Sequence, residues 1–598
     1  MATSFRSVPE MLLHRITATP QATAYSYPEG SGWKQVTWKE FGEQVKAVSL
    51  GLRALGLKDE ERVAIISGTR YDWVVADMGI LCGGGATTTV YPSNTAEETG
   101  YILKDSDTVI AIAETQAHLD NLVAQRANLP KLKHVVTFDG KASADGWVMT
   151  WADLMAKGKA STEDWAGICK AVKSDAIATL IYTSGTTGKP KGVVLTQDCW
   201  VYEAEAIDEL RLLLPDDVQY LWLPLAHSFG KVLEVAQLKI GFHTAVDGRV
   251  DKLVENLAQV KPTFVAAVPR IFEKVYNKVV QGAKSGGGAK WAIFKWAIEV
   301  GKQVSALKQQ RQPVGGLLAL KNAIATKLVF SKLQQRFGGR LRYFVSGSAP
   351  LSREMAEFFH ACGILILEGY GLTETSAASV VNRPESFKFG TVGPPVPGTQ
   401  LKIAEDGEIL LKSRGVMRGY HNLPDATAEM LKDGWLYTGD IGEVDAQGIL
   451  RITDRKKDLI KTSGGKYVAP QHIEGKLKAL CPYISQVLVH GNNRNFCSAL
   501  VALDPESITA WARENGVAGN YAQIVKDPKV HAMLKPFFDQ LNGSLANYES
   551  VKKFAVLPQD LTQEAGDLTP SLKLKRKVVE GKYKDLLDGF YAGNVADV

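Results

Sequence analysis

Thr183-Ser184-Gly185-Thr186-Thr187-Gly188-Lys189-Pro190-Lys191-Gly192 is the stretch that decides how this chain reads. The apolar, β-prone run Ala178-Thr179-Leu180-Ile181-Tyr182 precedes it and Val193-Val194-Leu195 follows, so the pattern is strand, loop, strand. Glycines at 185, 188 and 192 let backbone N–H groups approach a ligand closely, and hydroxyls and lysines surround them with no acid between. That composition suits a polyphosphate, whose oxygens accept from amides and hydroxyls while lysines balance the charge. The spacing does not fit a Walker loop, since Pro190 follows Lys189. The plain alternative for such a composition is a flexible hairpin.

The 598 residues exceed one core, so two or more domains are expected. Apolar content of 45% and charged content of 22% are those of an ordinary globular protein. The net charge of +6 gives no reason to expect a nucleic-acid partner. Cys82, Cys169, Cys199, Cys362, Cys481 and Cys497 are scattered, with no C-x-x-C pair, which argues against a disulfide frame or zinc site and favours a reducing, cytoplasmic setting. Arg6, Glu10, His14 and Arg15 interrupt any signal-like apolar run at the N-terminus. No apolar stretch reaches the length of about 18 residues that a spanning helix needs.

Along the chain, helix and strand patterns alternate. Residues 8–30 read as a helix leading into a strand; Thr37 with Glu40 forms a capping box for a long helix whose apolar face includes Phe41, Val45, Val48 and Leu52. Residues 62–66, 87–91 and 109–113 read as strands with helices over 73–82 and 96–104 between them. Repeated βα units imply a parallel sheet covered by helices. Residues 281–340 differ: they hold eleven Lys or Arg and one acid, Glu299, interleaved with Trp291, Phe294, Trp296, Ile298, Leu317, Leu318, Leu320, Val329 and Phe330. Two readings stand open there, a solvated helical pair packed on the domain and a peripheral contact with an anionic membrane. From 390 to 456 short strands and regular turns predict a small β-barrel.

Further motifs follow the opening loop in order: Pro224-Leu225-Ala226-His227-Ser228-Phe229-Gly230, Val268-Pro269-Arg270-Ile271-Phe272-Glu273-Lys274, Ser346-Gly347-Ser348-Ala349-Pro350, Glu368-Gly369-Tyr370-Gly371-Leu372-Thr373-Glu374-Thr375, Tyr437-Thr438-Gly439-Asp440 and Ser571-Leu572-Lys573. Several stand at the carboxyl ends of predicted strands, where α/β sheets place ligands. Together with the loop at 183–192 they resemble the adenylate-forming superfamily over nearly the whole chain, and the Val-Pro-Arg-Ile-Phe-Glu-Lys string is similar to its long-chain fatty acyl-CoA synthetase branch.

The resemblance implies an α/β fold: a large N-terminal domain of helix-covered sheets with a small β-barrel (1–456, barrel about 390–456), then a smaller mobile α+β domain (457–598) with its hinge at Lys457. It implies Mg2+ and the co-substrates ATP and CoA, with a fatty acid as the acid. Thr183, Ser184, Gly185, Thr186, Thr187, Gly188 and Lys189 would hold phosphates. Gly347, Ser348, Ala349, Pro350, Glu368, Gly369, Tyr370 and Gly371 would enclose adenine, and Tyr370 offers a π face. Thr373 would bond a phosphate oxygen. Asp440 would hold the ribose hydroxyls, with Arg455 beside ribose and phosphate. Thr183 and Glu374 would hold the metal, Glu374 as the hard carboxylate that Mg2+ prefers. His227 would face the acyl carboxylate. Lys573 would be the catalytic lysine, although Leu572 replaces the family's glycine, and Lys575 and Lys577 leave the register open. Lys461, Gly464, Gly465 and Lys466 would meet CoA after the small domain rotates. Activation of a fatty acid as acyl-AMP and transfer to CoA is the activity implied; an acyl-AMP ligase that loads a carrier protein is the alternative, and a non-enzymatic nucleotide-binding scaffold is a third.

Overall fold

The computed structural model describes residues 4–183, 189–569 and 572–592. Thr37 caps the helix Trp38–Ala54 with Glu40 as the reciprocal partner, and the alternating pattern after it forms strands and helices as the periodicity requires. Two eight-stranded sheets result. One contains the parallel strands Val218–Leu221, His243–Val246, Phe264–Ala267, Tyr343–Ser346 and Leu365–Tyr370. The other contains the parallel strands Arg62–Ile66, Ala86–Val90, Thr108–Ala113 and Ile177–Thr183. Antiparallel strands close the edges: Lys191–Thr196 pairs Ile177–Thr183, and Gly419–Tyr420 pairs Lys191–Thr196.

The helix Tyr71–Cys82 is apolar apart from Asp72 and Asp77, and every residue but Asp72 is buried. It faces the helix Ser228–Ile240. Between them Lys231 is fully buried with Asp77 and Glu234; its ammonium bonds both carboxylates, at 3.0 Å to Glu234. Burial drives the Glu234 carboxyl up against the pull of Lys231.

The barrel expected over 390–456 is realised as an open five-stranded antiparallel sheet. Its long strand Trp435–Val444 is paired on both sides, to Glu408–Lys412 and to Leu450–Arg455. The apolar face of Ile409, Leu411 and Leu450 is covered by Val380, Val392, Tyr370 and Leu372, so the sheet needs no closure on itself to leave water. The basic segment 281–340 is helical over Gly288–Gln309 and Gly316–Ala325, and its apolar residues divide. Phe294 and Phe330 are buried and Trp291, Ile298, Leu318 and Val329 pack on the core, whereas Trp296, Leu317 and Leu320 are exposed. No helix among the described residues is long and apolar enough to cross a membrane.

Beyond Lys457, the apolar clusters are built from residues 460–590 alone and share no side chain with those before residue 453. They cover the three-stranded sheet Ile484–His490, Cys497–Leu503 and Val551–Val556. Polar contacts join the halves: Arg270 donates to the Ser485 carbonyl at 2.7 Å, and Lys478 bonds Glu273 at 2.8 Å. All six cysteines are free and buried. Burial pushes the Cys199 thiol up, that of Cys481 up to about 12 and that of Cys497 up to about 11.

The helices Trp38–Ala54 and Trp151–Ala160 cross on glycines. A Cβ on Gly158 would stand 1.7 Å from the Ala47 carbonyl oxygen, and one on Gly51 2.4 Å from that of Leu154. Gly158→Ala is therefore expected to cost about 2 kcal/mol or more, seen as a melting temperature lowered by a few degrees. An unchanged melting curve would show that the crossing is looser than the structure has it.

Candidate active site

The site gathers loops from both eight-stranded sheets, the five-stranded sheet and the C-terminal segment. Strand Ile177–Thr183 brings Thr183 to its carboxyl end, where the hydroxyl lies 3.5 Å from the Lys191 carbonyl. Ser184, Gly185, Thr186, Thr187 and Gly188 lie outside the described residues, as does Ser571. Beyond them Lys189 is exposed, its ammonium 5.1 Å from the Tyr101 ring centroid.

His227 is the N-cap of the helix Ser228–Ile240, and its Nδ1 accepts from the Phe229 N–H at 3.1 Å. Burial, with Lys573 beside it, pushes its pKa down to about 3, so the ring is neutral. With Nδ1 an acceptor, Nε2 carries the proton and is a donor. Gly347 packs against the Phe229 ring from the strand Tyr343–Ser346; Ser348 follows at φ 68°, and Ala349 and Pro350 are exposed. Thr373 is buried with its hydroxyl 3.5 Å from that of Ser228, which ties this turn to the next motif.

The strand Leu365–Tyr370 delivers that motif. Glu368 is buried, its Oε1 has no partner among the described residues, and burial pushes its carboxyl up to about 8. Gly369 sits in the ladder opposite Val381. A Cβ on Gly371 would stand 1.7 Å from the Ala377 carbonyl oxygen, so only glycine lets the chain fold back over itself here. The turn Thr373–Thr375 then presents Glu374, whose Oε1 accepts from the Tyr420 hydroxyl at 2.7 Å while Oε2 has no bond among the described residues. The donor set fits a hard divalent cation that takes one protein carboxylate and draws its other ligands from phosphates and water. No cluster of three potential metal ligands exists among the described residues.

The antiparallel register sets Asp440 opposite Arg455. Asp440 Oδ1 is 3.3 Å from Arg455 Nε, and its Oδ2 accepts from the Tyr370 hydroxyl at 2.7 Å. Burial raises the Asp440 carboxyl against the pull of Arg455 and Tyr370. Among the three candidate lysines the structure brings Lys573 here: its charge is felt at His227 and Asp440, and it feels Glu374 and Arg455. Its side chain keeps some exposed surface, yet burial of the ammonium and then Arg455 bring its pKa down to about 8. Lys575 instead caps the helix Arg576–Lys582, and Lys577 is exposed. Leu572, just before Lys573, has φ 62°, a left-handed backbone that glycine adopts freely and leucine at a cost of about 1–2 kcal/mol.

Lys461, Gly464, Gly465 and Lys466 form the hairpin between Ile460–Lys461 and Tyr467–Val468. No hydrogen bond or ion pair among the described residues links that hairpin to Glu374, Asp440 or Lys573. Tyr420 and Lys457 were not singled out by sequence as site side chains. Tyr420 arrives through pairing with Val193, far away in the chain, and Lys191 lies with its ammonium 5.0 Å from the Tyr420 ring centroid. Lys457, exposed along its side chain, senses Asp440 and Glu374, and desolvation of its ammonium with Arg455 nearby lowers its pKa.

Residues 12–421 match the family model described as AMP-binding enzyme, and 457–595 match that of the AMP-binding enzyme C-terminal domain. The long-chain-fatty-acid–CoA ligase FadD15 of Mycobacterium bovis is 38% identical over 94% of this chain and 92% of its own length. The long-chain-fatty-acid–CoA ligase ACSBG1 of Homo sapiens is 30% identical over 95% of this chain and 83% of its own. Among solved structures, the adenylation domain of a carboxylate reductase from Mycobacterium chelonae aligns with TM-score 0.76 at 22% identity over 98% of this chain and 91% of that one. The anthranilate CoA ligase AuaEII in complex with anthranoyl-AMP aligns with TM-score 0.74 at 20% identity, over 98% and 99%. These two alignments speak for the fold.

Gly371→Ala should lower ATP-dependent turnover by about 100-fold or more, because the Glu374 turn must move by an ångström or so. Gly347→Ala, whose Cβ would meet only the edge of the Phe229 ring at 3.2 Å, should cost far less. Equal losses in the two variants would show that the fold-back at Gly371 does not govern the site.

Proposed function

This chain belongs to the AMP-binding enzyme family, and we propose from that premise that it is a long-chain fatty acid–CoA ligase that works through an acyl adenylate. The observation that carries the reading is the gathering of His227, Glu374, Asp440, Arg455 and the C-terminal Lys573 in one place. A carboxylate is a poor electrophile, since its leaving group would be oxide. Its oxygen attacks the α-phosphorus of ATP, the bond to pyrophosphate breaks, and the oxygen becomes part of AMP, a good leaving group. The sulfur of CoA then loses its proton and attacks the acyl carbon, and the carbon–oxygen bond to AMP breaks.

In the first step negative charge builds on the α-phosphoryl oxygens. Lys573 balances it, and the Lys573 carbonyl accepts from the Thr569 N–H at 2.8 Å. Neutral His227 offers its Nε2–H to the acyl carboxylate without trapping it as an ion pair. Asp440 and Arg455 hold the ribose, and the Tyr370 ring carries the base. Thr183 and Glu374 would hold Mg2+, which supplies charge neutralisation at the phosphates when bound. Ser184 through Gly188, with Lys189, would cradle those phosphates.

We read residues 457–598 as the mobile unit. The halves meet through polar contacts between separate apolar cores, an interface that can be exchanged. In a second pose Lys461, Gly464, Gly465 and Lys466 would line the path of CoA. The compartment is read as cytoplasmic, with peripheral contact to an anionic membrane through 281–340.

Acid-dependent pyrophosphate release across short, medium, long-chain and aromatic acids, with and without CoA, tests the activity. A long-chain preference with AMP turnover only when CoA is present is expected; an adenylate that CoA cannot discharge would instead make the protein a carrier-loading ligase. Lys573 is cationic below its pKa and neutral above it. In the free enzyme kcat/KM for ATP should therefore fall as pH rises through about 8. Lys573→Arg should move that limb upward at a lower rate. An alkaline limb that stays in place in the variant would remove Lys573 from the assignment.

A further inference from the structure

The segment Gly316 to Phe330 leaves a row of large apolar side chains in water. Leu317, Leu320, Ile324 and Leu328 are 66, 59, 43 and 47% exposed. They recur every three or four residues along the helix Gly316–Ala325 and the π-turn Thr326–Phe330, a spacing that holds side chains on one face. The flanking side, about 100° round the helix, is already committed: Ala325 and Phe330 are buried, and Leu318 and Val329 pack on the core. The helix is therefore fixed with its leucines outward and has no better rotation to take. The adjoining helix Gly288–Gln309 exposes Ile293 and Trp296 as well. Single exposed apolar residues are ordinary, but a row in register marks a contact surface.

Charge selects the partner. Residues 281–340 carry eleven Lys or Arg against Glu299 alone, and Lys321 and Lys327 are exposed within the same segment as the row. Pressing this face onto a second copy of itself would set like charges against like. An anionic bilayer instead takes leucines into its acyl boundary and meets the lysine ammoniums with headgroup phosphates. We propose that residues 316–330 form a bilayer-inserting edge. In it Leu317, Leu320, Ile324 and Leu328 enter the acyl boundary of an anionic leaflet, and the flanking lysines hold its headgroups. This deepens the peripheral membrane contact read above and rests on it. The edge lies in the plane of the leaflet, since fifteen residues at helical rise cover only about 22 Å.

The full chain is sedimented with phosphatidylcholine vesicles made with and without phosphatidylglycerol. Wild type is expected to bind the anionic vesicles and to bind the neutral ones weakly. Leu320→Asp/Ile324→Asp should lower partitioning at least about tenfold, because charged groups would have to enter the acyl boundary. Lys321→Glu/Lys327→Glu should remove the preference for phosphatidylglycerol. Melting temperature and ATP-dependent turnover of a monomeric fatty acid should match wild type in both, because all four residues face water. Wild-type binding that survives Leu320→Asp/Ile324→Asp overturns the inserting edge and leaves peripheral association standing. Wild type that binds neither vesicle overturns both, whatever the outcome for acyl activation. A wild-type dimer by light scattering that Leu320→Asp/Ile324→Asp dissociates, with vesicle binding unchanged, gives the row to a second copy and overturns the proposal.

Discussion

Two groups of apolar clusters that share no side chain are joined by polar contacts, and the rest of the molecule answers to that constraint. Arg270 on the Ser485 carbonyl and Lys478 on Glu273 hold the junction. Such groups are satisfied by water when parted, whereas a shared apolar core would expose its surface at about 25 cal/mol for each Å2 uncovered. Lys573 is carried on the far side of this junction, yet it senses Glu374 on the turn Thr373–Thr375 and Asp440 and Arg455 on paired strands of the first half. The proposed site would be a unit only while the polar junction is made.

Within the first half, positions are set by rigid elements. The ladder register pins Arg455 opposite Asp440, and the Thr438 hydroxyl, which donates to the Ile409 carbonyl at 2.7 Å and accepts from the Asp440 N–H at 3.1 Å, fixes the turn just before it. His227 caps a helix that is itself anchored by the buried cluster of Asp77, Lys231 and Glu234. Breaking one member of such a cluster leaves a buried charge unpaired, so its value lies in fixing the helix rather than in net stabilisation. Preorganised dipoles and charges are what an anionic transition state draws on.

Much of this is legible in the amino-acid sequence itself. The capping box at Thr37 and Glu40 and the alternation of strand and helix follow from local spacing, and those signals survived folding because local preference and global packing agree. The motifs around His227, Tyr370, Glu374 and Asp440 were legible because each is a contiguous string, the first three following or ending a strand and the last lying within one. What stayed hidden depends on pairing between distant segments. Tyr420 reaches Glu374 only because Gly419–Tyr420 adds to the edge strand Lys191–Thr196. Composition could not tell the leucines of 317–328 that face water from Leu318 and Phe330, which do not, and it left three lysines open where Leu572, at φ 62°, breaks the glycine pattern.

The buried cysteines have a chemical corollary. An acyl adenylate is an acylating agent, and the enzyme that makes it is the first protein it meets. Thiolates would be the most reactive acceptors on the chain. Here every cysteine is walled off from water, and those at 199, 481 and 497 are held in the protonated form by burial. The chain thus offers its own product no competing sulfur, and chemoselectivity toward an incoming thiol is built into where the cysteines lie rather than into any added gate.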